Sequence, residues 1–250
     1  MKISKQDLQA HSEAHIHGDK HFLSRISDYL GEFVYGGIDG SVTTFAVVAG
    51  SAGAHLESSI VIILGFANLI ADGFSMSVGS FLSKKSEKQN YEKHKQIEYW
   101  EVEHLPEKER EEIREIYEAK GFKGELLEQV VDTITADKDR WVDVMMKEEL
   151  EMAEETKSPF MMGLITFVSF QLMGFVPLII YVLDYTTDMS ADLFTISCVL
   201  TAITFVGIGY LKSLVTVTSK LRSIAETLLL GGAAAAVSYY VGYFLEGLVK

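Results

Sequence analysis

Five apolar runs, each about as long as a bilayer is thick, limit what this chain can fold into more than any other feature. They cover residues 33–54, 59–82, 160–183, 193–211 and 224–245. Runs of roughly 20 apolar residues are the length that spans hydrocarbon as a helix. Only helices and closed barrels satisfy their backbone in lipid. The expected class is therefore all-α, a polytopic membrane protein with five transmembrane helices and the lipid bilayer as its solvent. The first run carries one acid, Asp39, and the second carries Asp72; the other three have no charge until their ends.

Lysine and arginine set the expected orientation. The loops at 55–58 and 184–192 contain neither, whereas the N-terminal segment, the segment 83–159 and the loop 212–222 hold 21 of the 22 basic residues. With five spans these three regions share one side, and the positive-inside rule makes that side cytoplasmic. The expected organisation is a His-rich N-terminal cytoplasmic segment (1–32), spans one and two (33–82), a cytoplasmic helical domain (83–158) and spans three to five (159–250). No cleavable signal peptide is expected, because the first apolar run starts behind a charged stretch. The formal net charge of −13 speaks against nucleic acid and for cations as partners. The single cysteine, Cys198, lies inside span four and reads as packing.

The segment 83–158 has 22 acids against 14 bases. Pro106 and the stretch from Gly121 to Gly124 divide it into three expected helices, about 84–104, 107–120 and 124–156. Glu98 and Glu101 stand three residues apart, as do Glu109 and Glu112, so each pair projects to one helix face. In the third piece Trp141, Val142, Met145, Met146, Glu149 and Met152 form one stripe. A lone buried carboxylate is costly, so Glu149 among methionines suggests a shared cation. Carboxylates suit Mn(II) and Fe(II), and thioethers add softness that Mg and Ca do not want. A plain three-helix bundle, with Met filling gaps and Glu facing water, fits the same spacing.

Charge inside the spans costs about 2.5–3.5 kcal/mol on insertion scales, so such residues tend to be functional. Asp39 lies near the cytoplasmic start of span one. In span two, Asn68, Asp72 and Met76 recur every four residues on one face. Because span two runs inward, Met76 matches Asp39 in depth, and the carboxylate with the thioether reads as a metal station. The other reading of Asp39 is a hydrogen bond from a neighbouring helix, for example from a serine. Span one is rich in glycine (Gly36, Gly37, Gly40, Gly50, Gly53), which allows close helix approach, and Pro177 is expected to bend span three.

Three runs taken together resemble a known family: Gly37-Ile-Asp39-Gly40, then Ala67-Asn-Leu-Ile-Ala-Asp72-Gly-Phe-Ser-Met76, then Trp141-Val-Asp-Val-Met145-Met146-Lys-Glu-Glu149-Leu150. Their order and spacing are similar to the vacuolar iron transporters, over about residues 30–245. The resemblance implies a homodimer of five-span chains with the ion path between subunits, acting as a proton-coupled exporter of ferrous iron from the cytosol. Manganese is the second expected ion, and no organic cofactor is implied. It places Asp39 and Met76 on the path, and it makes 83–158 a metal-binding domain with ligands Glu98, Glu101, Glu109, Glu112, Glu149, Met145 and Met146. The plant-type pattern has a glutamate where this chain has Asn68; here the acid is Asp72, one turn away, which is expected to take the proton-coupling role. The resemblance implies a plasma membrane in a prokaryote or a vacuolar membrane in a eukaryote.

Two lesser readings come from histidine. His11, His15, His17 and His21 form two pairs spaced by four, which could share a metal on a helix or belong to a polar tail. Glu101-Val-Glu-His104 is the Glu-x-x-His element of di-iron carboxylate enzymes. A membrane-bound ferroxidase or storage protein would need two such motifs and two further glutamates, and the chain shows one, so a non-enzymatic transporter is the expectation. A metal-gated membrane sensor is the remaining alternative.

Overall fold

A computed structural model describes residues 29–187, 192–216 and 218–249. The histidines at 11, 15, 17 and 21 lie outside the described residues. The described chain is helical: α1 Leu30–Gly53, α2 Ser58–His104, α3 Pro106–Ala119, α4 Gly124–Thr135, α5 Lys138–Glu148, α6 Pro159–Gly174, a short 3-10 turn Val176–Leu178, α7 Ile179–Thr187, α8 Leu193–Thr216 and α9 Lys220–Val249. Among the described residues, five stretches are long and apolar enough to cross a membrane: α1, α2, α6 with α7, α8 and α9. Contacts divide the chain into two compact units, one of residues up to Ser80 and from Phe160 onward, the other Phe81–Pro159.

In the first unit, close approach of backbones fixes the packing. A Cβ on Gly40 of α1 would lie 2.4 Å from the Phe170 carbonyl oxygen of α6, and one on Gly174 would lie 2.7 Å from the Gly40 oxygen. Neither helix could come this near with a larger residue at the crossing. Side-chain hydrogen bonds tie the remaining helices. Ser238 on α9 donates to the Ala46 carbonyl of α1 at 2.6 Å, and Gln171 on α6 donates to the Leu69 carbonyl of α2 at 2.8 Å. The apolar centre gathers Phe45, Val48, Val61, Leu69, Phe170 and Phe205. Pro177, expected to bend span three, lies in the 3-10 turn that interrupts it, and the Ser197 hydroxyl donates to its carbonyl oxygen at 2.7 Å.

The second unit departs from expectation in two ways. Helix α2 does not stop where its apolar run ends but continues without interruption to His104. No proline or glycine stands between Gly79 and Pro106 to break it, and a change from apolar to polar residues alone does not end a helix. The expected third helix, 124–156, is in fact two. It breaks at Ala136–Asp137, where the Asp137 carboxylate accepts from the Arg140 backbone N–H at 2.8 Å and caps α5. It also ends early, at Glu148, and 149–158 is not helical. Stripe residue Met152 thus lies beyond the helix, its N–H donating back to the Met146 carbonyl at 2.9 Å. Helix α3 starts with Pro106 at its first turn, as expected. It ends at a turn in which Gly121 adopts φ +98, a conformation that favours glycine. Arg114 of α3 grips Glu128 of α4 through two hydrogen bonds, 3.0 and 3.1 Å.

Candidate metal centre

The core of the second unit is Tyr91, Val102, Ile113, Val131, Val142, Met145 and Met146 with a few neighbours. Packing of this core draws α2, α3 and α5 together, and their glutamates converge beside it. Glu98 and Glu101 come from α2, Glu109 and Glu112 from α3, and Glu149 caps the C-terminus of α5. Carboxylate oxygens of Glu98, Glu101 and Glu109 lie within 4.8 Å of one another, and so do those of Glu109, Glu112 and Glu149. Glu109 belongs to both groups. The i,i+3 spacing explains each pair, and the turn that follows Met145 and Met146 explains Glu149. The Glu149 N–H bonds to the Met145 carbonyl at 3.0 Å, which keeps its side chain at the negative end of α5.

Burial makes this arrangement costly without a cation. Glu98 is 3% exposed and Glu109 1%. Glu98 Oε2 and both carboxylate oxygens of Glu109 are buried and accept no hydrogen bond from the described residues. Lys108 supplies a cation, with Nζ 2.7 Å from Glu112 Oε1 and 3.9 Å from Glu109 Oε1. One exposed lysine does not offset five carboxylates. The consequence is a retained proton. Burial first, then the charges of Glu149, Glu101, Glu109 and Glu112, push the Glu98 carboxyl up to about 7. Burial and then Glu112 and Glu101 push Glu109 up to about 7 as well, with Lys108 opposing. Glu149, more open to solvent, is also raised, by burial and then by Glu112 and Glu101. Orphaned, buried carboxylate oxygens within a few ångströms fit a hard or borderline divalent cation with oxygen ligands.

Met145 and Met146 are fully buried within the apolar cluster. Lys108 was not among the residues the sequence singled out, although its i,i+4 spacing to Glu112 is a usable signal. His104 of the Glu-x-x-His element belongs to neither carboxylate group. His104 Nδ1 is engaged with the Trp100 carbonyl at 2.8 Å, and its ring stacks on Trp100.

In the first unit, Asp39 is half-buried on α1, and its carboxylate accepts no hydrogen bond from any described residue. Asp72 on α2 is exposed, and it stands near enough to Asp39 for their charges to repel. The Asn68 amide nitrogen is buried without a partner among the described residues. Met76 packs against the apolar centre that holds Phe45 and Phe170. Gln171 passed unremarked in the sequence because it is uncharged, yet it hydrogen-bonds α2 one turn from Asp72.

Comparison with known proteins agrees with the residue patterns. The VIT family model matches residues 30–243. A vacuolar iron transporter of Toxoplasma gondii is 37% identical over 89% of this chain and 76% of its own length. Vacuolar iron transporter 1 of Arabidopsis thaliana is 31% identical over 94% of this chain and 90% of its own. A vacuolar iron transporter of Plasmodium falciparum is 30% identical over 99% and 93% respectively.

Proposed function

This chain belongs to the VIT family, and from that premise we propose that it carries a divalent transition metal, Fe(II) first and Mn(II) second, out of the cytosol in exchange for protons. The names of its relatives support metal transport and a transporter rather than an enzyme. The observation that carries the reading is the convergence of four other carboxylates on Glu109, with buried oxygens that accept no hydrogen bond from the described residues.

In this reading Phe81–Pro159 lies in the cytosol together with the N-terminus, and its glutamates collect the ion, with Met145 and Met146 adding thioether ligands on rearrangement. The ion then passes to Asp39 and Met76 between two copies of the chain. Asn68 and Asp72 line the same face of α2, and Asp72 exchanges the coupling proton. Protons arriving from the far side release the metal there, into a vacuole-type compartment or out of the cell. The absence of His104 from both carboxylate groups weighs against a di-iron ferroxidase.

The test is metal accumulation in sealed proteoliposomes with an inward-acid gradient, Fe(II) and Mn(II) competing, and Asp39→Ala run beside the parent. Accumulation that needs both the gradient and Asp39 is expected. Metal binding with no accumulation would instead identify a sensor or store.

A further inference from the structure

The acidic character of the second unit is not uniform along α2. From 97 to 158, acids outnumber bases twenty to nine, whereas 84–96 holds five lysines and two glutamates. The basic stretch therefore opposes the overall charge, and it begins two residues after Leu82, the last residue of the apolar run. Lys85, Lys88, Gln89, Glu92, Lys93 and Gln96 recur at helical spacing on one face of α2, and with Pro159 they line a concave surface of about 380 Å³.

The charges of this hollow are largely uncommitted. Lys84, outside the lining, takes Glu87 at 2.7 Å. Lys85 lies over the Phe81 ring at 5.7 Å. Lys88 and Lys93 make no ion pair among the described residues, and Glu92 is the one acid of the lining. Three ammonium groups and two side-chain amides against one carboxylate suit an anion with several acceptor oxygens.

We propose that this hollow binds the phosphate of an anionic membrane lipid headgroup. Position argues for a lipid. Lys85 and Lys88 follow Leu82 by three and six residues on an unbroken helix, about 5 and 9 Å along its axis. The headgroup layer begins where hydrocarbon ends and is of that order of thickness. Lysines immediately beyond a membrane helix attract anionic lipids. The inference requires that α2 cross a bilayer and does not rest on the transported ion or on coupling to protons.

The experiment uses the full chain in mild detergent, titrated with dioctanoyl phosphatidic acid, dioctanoyl phosphatidylcholine or inorganic phosphate and followed by thermophoresis. Phosphatidic acid is expected to bind at least about tenfold more tightly than the other two probes. Lys88→Gln with Lys93→Gln is expected to weaken it about 30-fold, or about fivefold per lysine, while Lys88→Arg with Lys93→Arg keeps it. Both lysines are exposed, so an unchanged melting temperature separates lost binding from lost fold. Equal binding of the two lipids, or unchanged binding in the glutamine variant, would overturn the proposal. Inorganic phosphate matching phosphatidic acid would overturn the lipid assignment, and loss in the arginine variant would overturn the electrostatic one.

Discussion

Glu98 of α2 and Glu109 of α3 bring carboxylate oxygens within 4.8 Å of each other, and each has at least one buried oxygen without a hydrogen bond from a described residue. Two like charges so placed cannot both ionise cheaply in the absence of a cation. A metal ion held there would compete with protons for the same atoms. Because both carboxyls titrate near 7, metal affinity is expected to rise with pH and to level off above that value. The slope is about tenfold per pH unit for each proton displaced. Calorimetric titration of the full chain with Mn(II) between pH 5.5 and 8 measures it, and affinity independent of pH would contradict the retained protons.

The same shift fixes the sign of a stability effect. A carboxyl whose folded pKa is raised from the ordinary 4.5 to about 7 favours the fold when protonated. That contribution is complete below about 4.5 and is lost as pH rises through 7. The metal-free protein is expected to melt at a lower temperature at pH 8 than at pH 5.5. Saturating Mn(II) should narrow or reverse the difference, because an ion that binds only the folded state stabilises it by mass action. Thermal melts at the two pH values, with and without Mn(II), check this.

Glu109 is the residue shared by both carboxylate groups. Glu109→Gln keeps the shape of the side chain and removes its charge. Metal affinity is expected to fall by at least about tenfold. Glu98 loses one of its like-charged neighbours, so its titration should shift down toward the ordinary range. The metal-free variant is expected to be no less stable than the parent, since a buried charge is gone. A destabilised metal-free variant would show instead that Glu109 serves the fold. Titration calorimetry and a melt of the same sample separate the two.

The sequence carried much of this arrangement, and physical reasons account for what it did not carry. Apolar runs of bilayer length announce five spans without any alignment, and the i,i+3 glutamate pairs announce which faces bear charge. That α2, α3 and the end of α5 meet at one point is a tertiary fact that no spacing within a helix contains. The break at Asp137 was missed because Thr135-Ala-Asp137 holds no proline or glycine, although an aspartate ahead of an apolar stripe is a capping signal. The continuity of α2 was missed for the opposite reason. A switch from apolar to charged residues suggests a boundary, yet Lys, Glu and Gln are good helix formers. Asp39 was readable as a candidate, whereas the absence of any hydrogen bond from a described residue to its carboxylate needed coordinates.

Glycine at the α1–α6 crossing offers a test of packing that is independent of metal. Gly40→Ala would set a Cβ 2.4 Å from the Phe170 carbonyl oxygen and 2.9 Å from its Cα. Backbone atoms cannot swing away as side chains do, so the helices must separate, at a cost of about 1–3 kcal/mol. Gly232→Ala on α9 meets nothing within 4 Å and is expected to be neutral or slightly stabilising, because alanine favours helix. Detergent melts of the two variants compare them directly. Equal melting temperatures would show that the crossing has room to relax.

Asp39 on α1 and Asp72 on α2 stand near enough for their charges to repel, with no hydrogen bond from a described residue to either carboxylate. Two acids near each other in a membrane-spanning unit can divide the work, one holding a cation while the other exchanges a proton. Asp72→Asn keeps the size and polarity of the side chain and removes its proton exchange. Metal binding by the Phe81–Pro159 glutamates should be unchanged, because none of them is altered. Metal flux in proteoliposomes should lose its dependence on the pH gradient. Asp39→Ala should abolish flux under every gradient while leaving binding intact. If Asp72→Asn transports with the parent's pH dependence, the coupling proton is carried elsewhere, and Asp39 becomes the first residue to ask about, since the two carboxylates repel and either alone could take the charge.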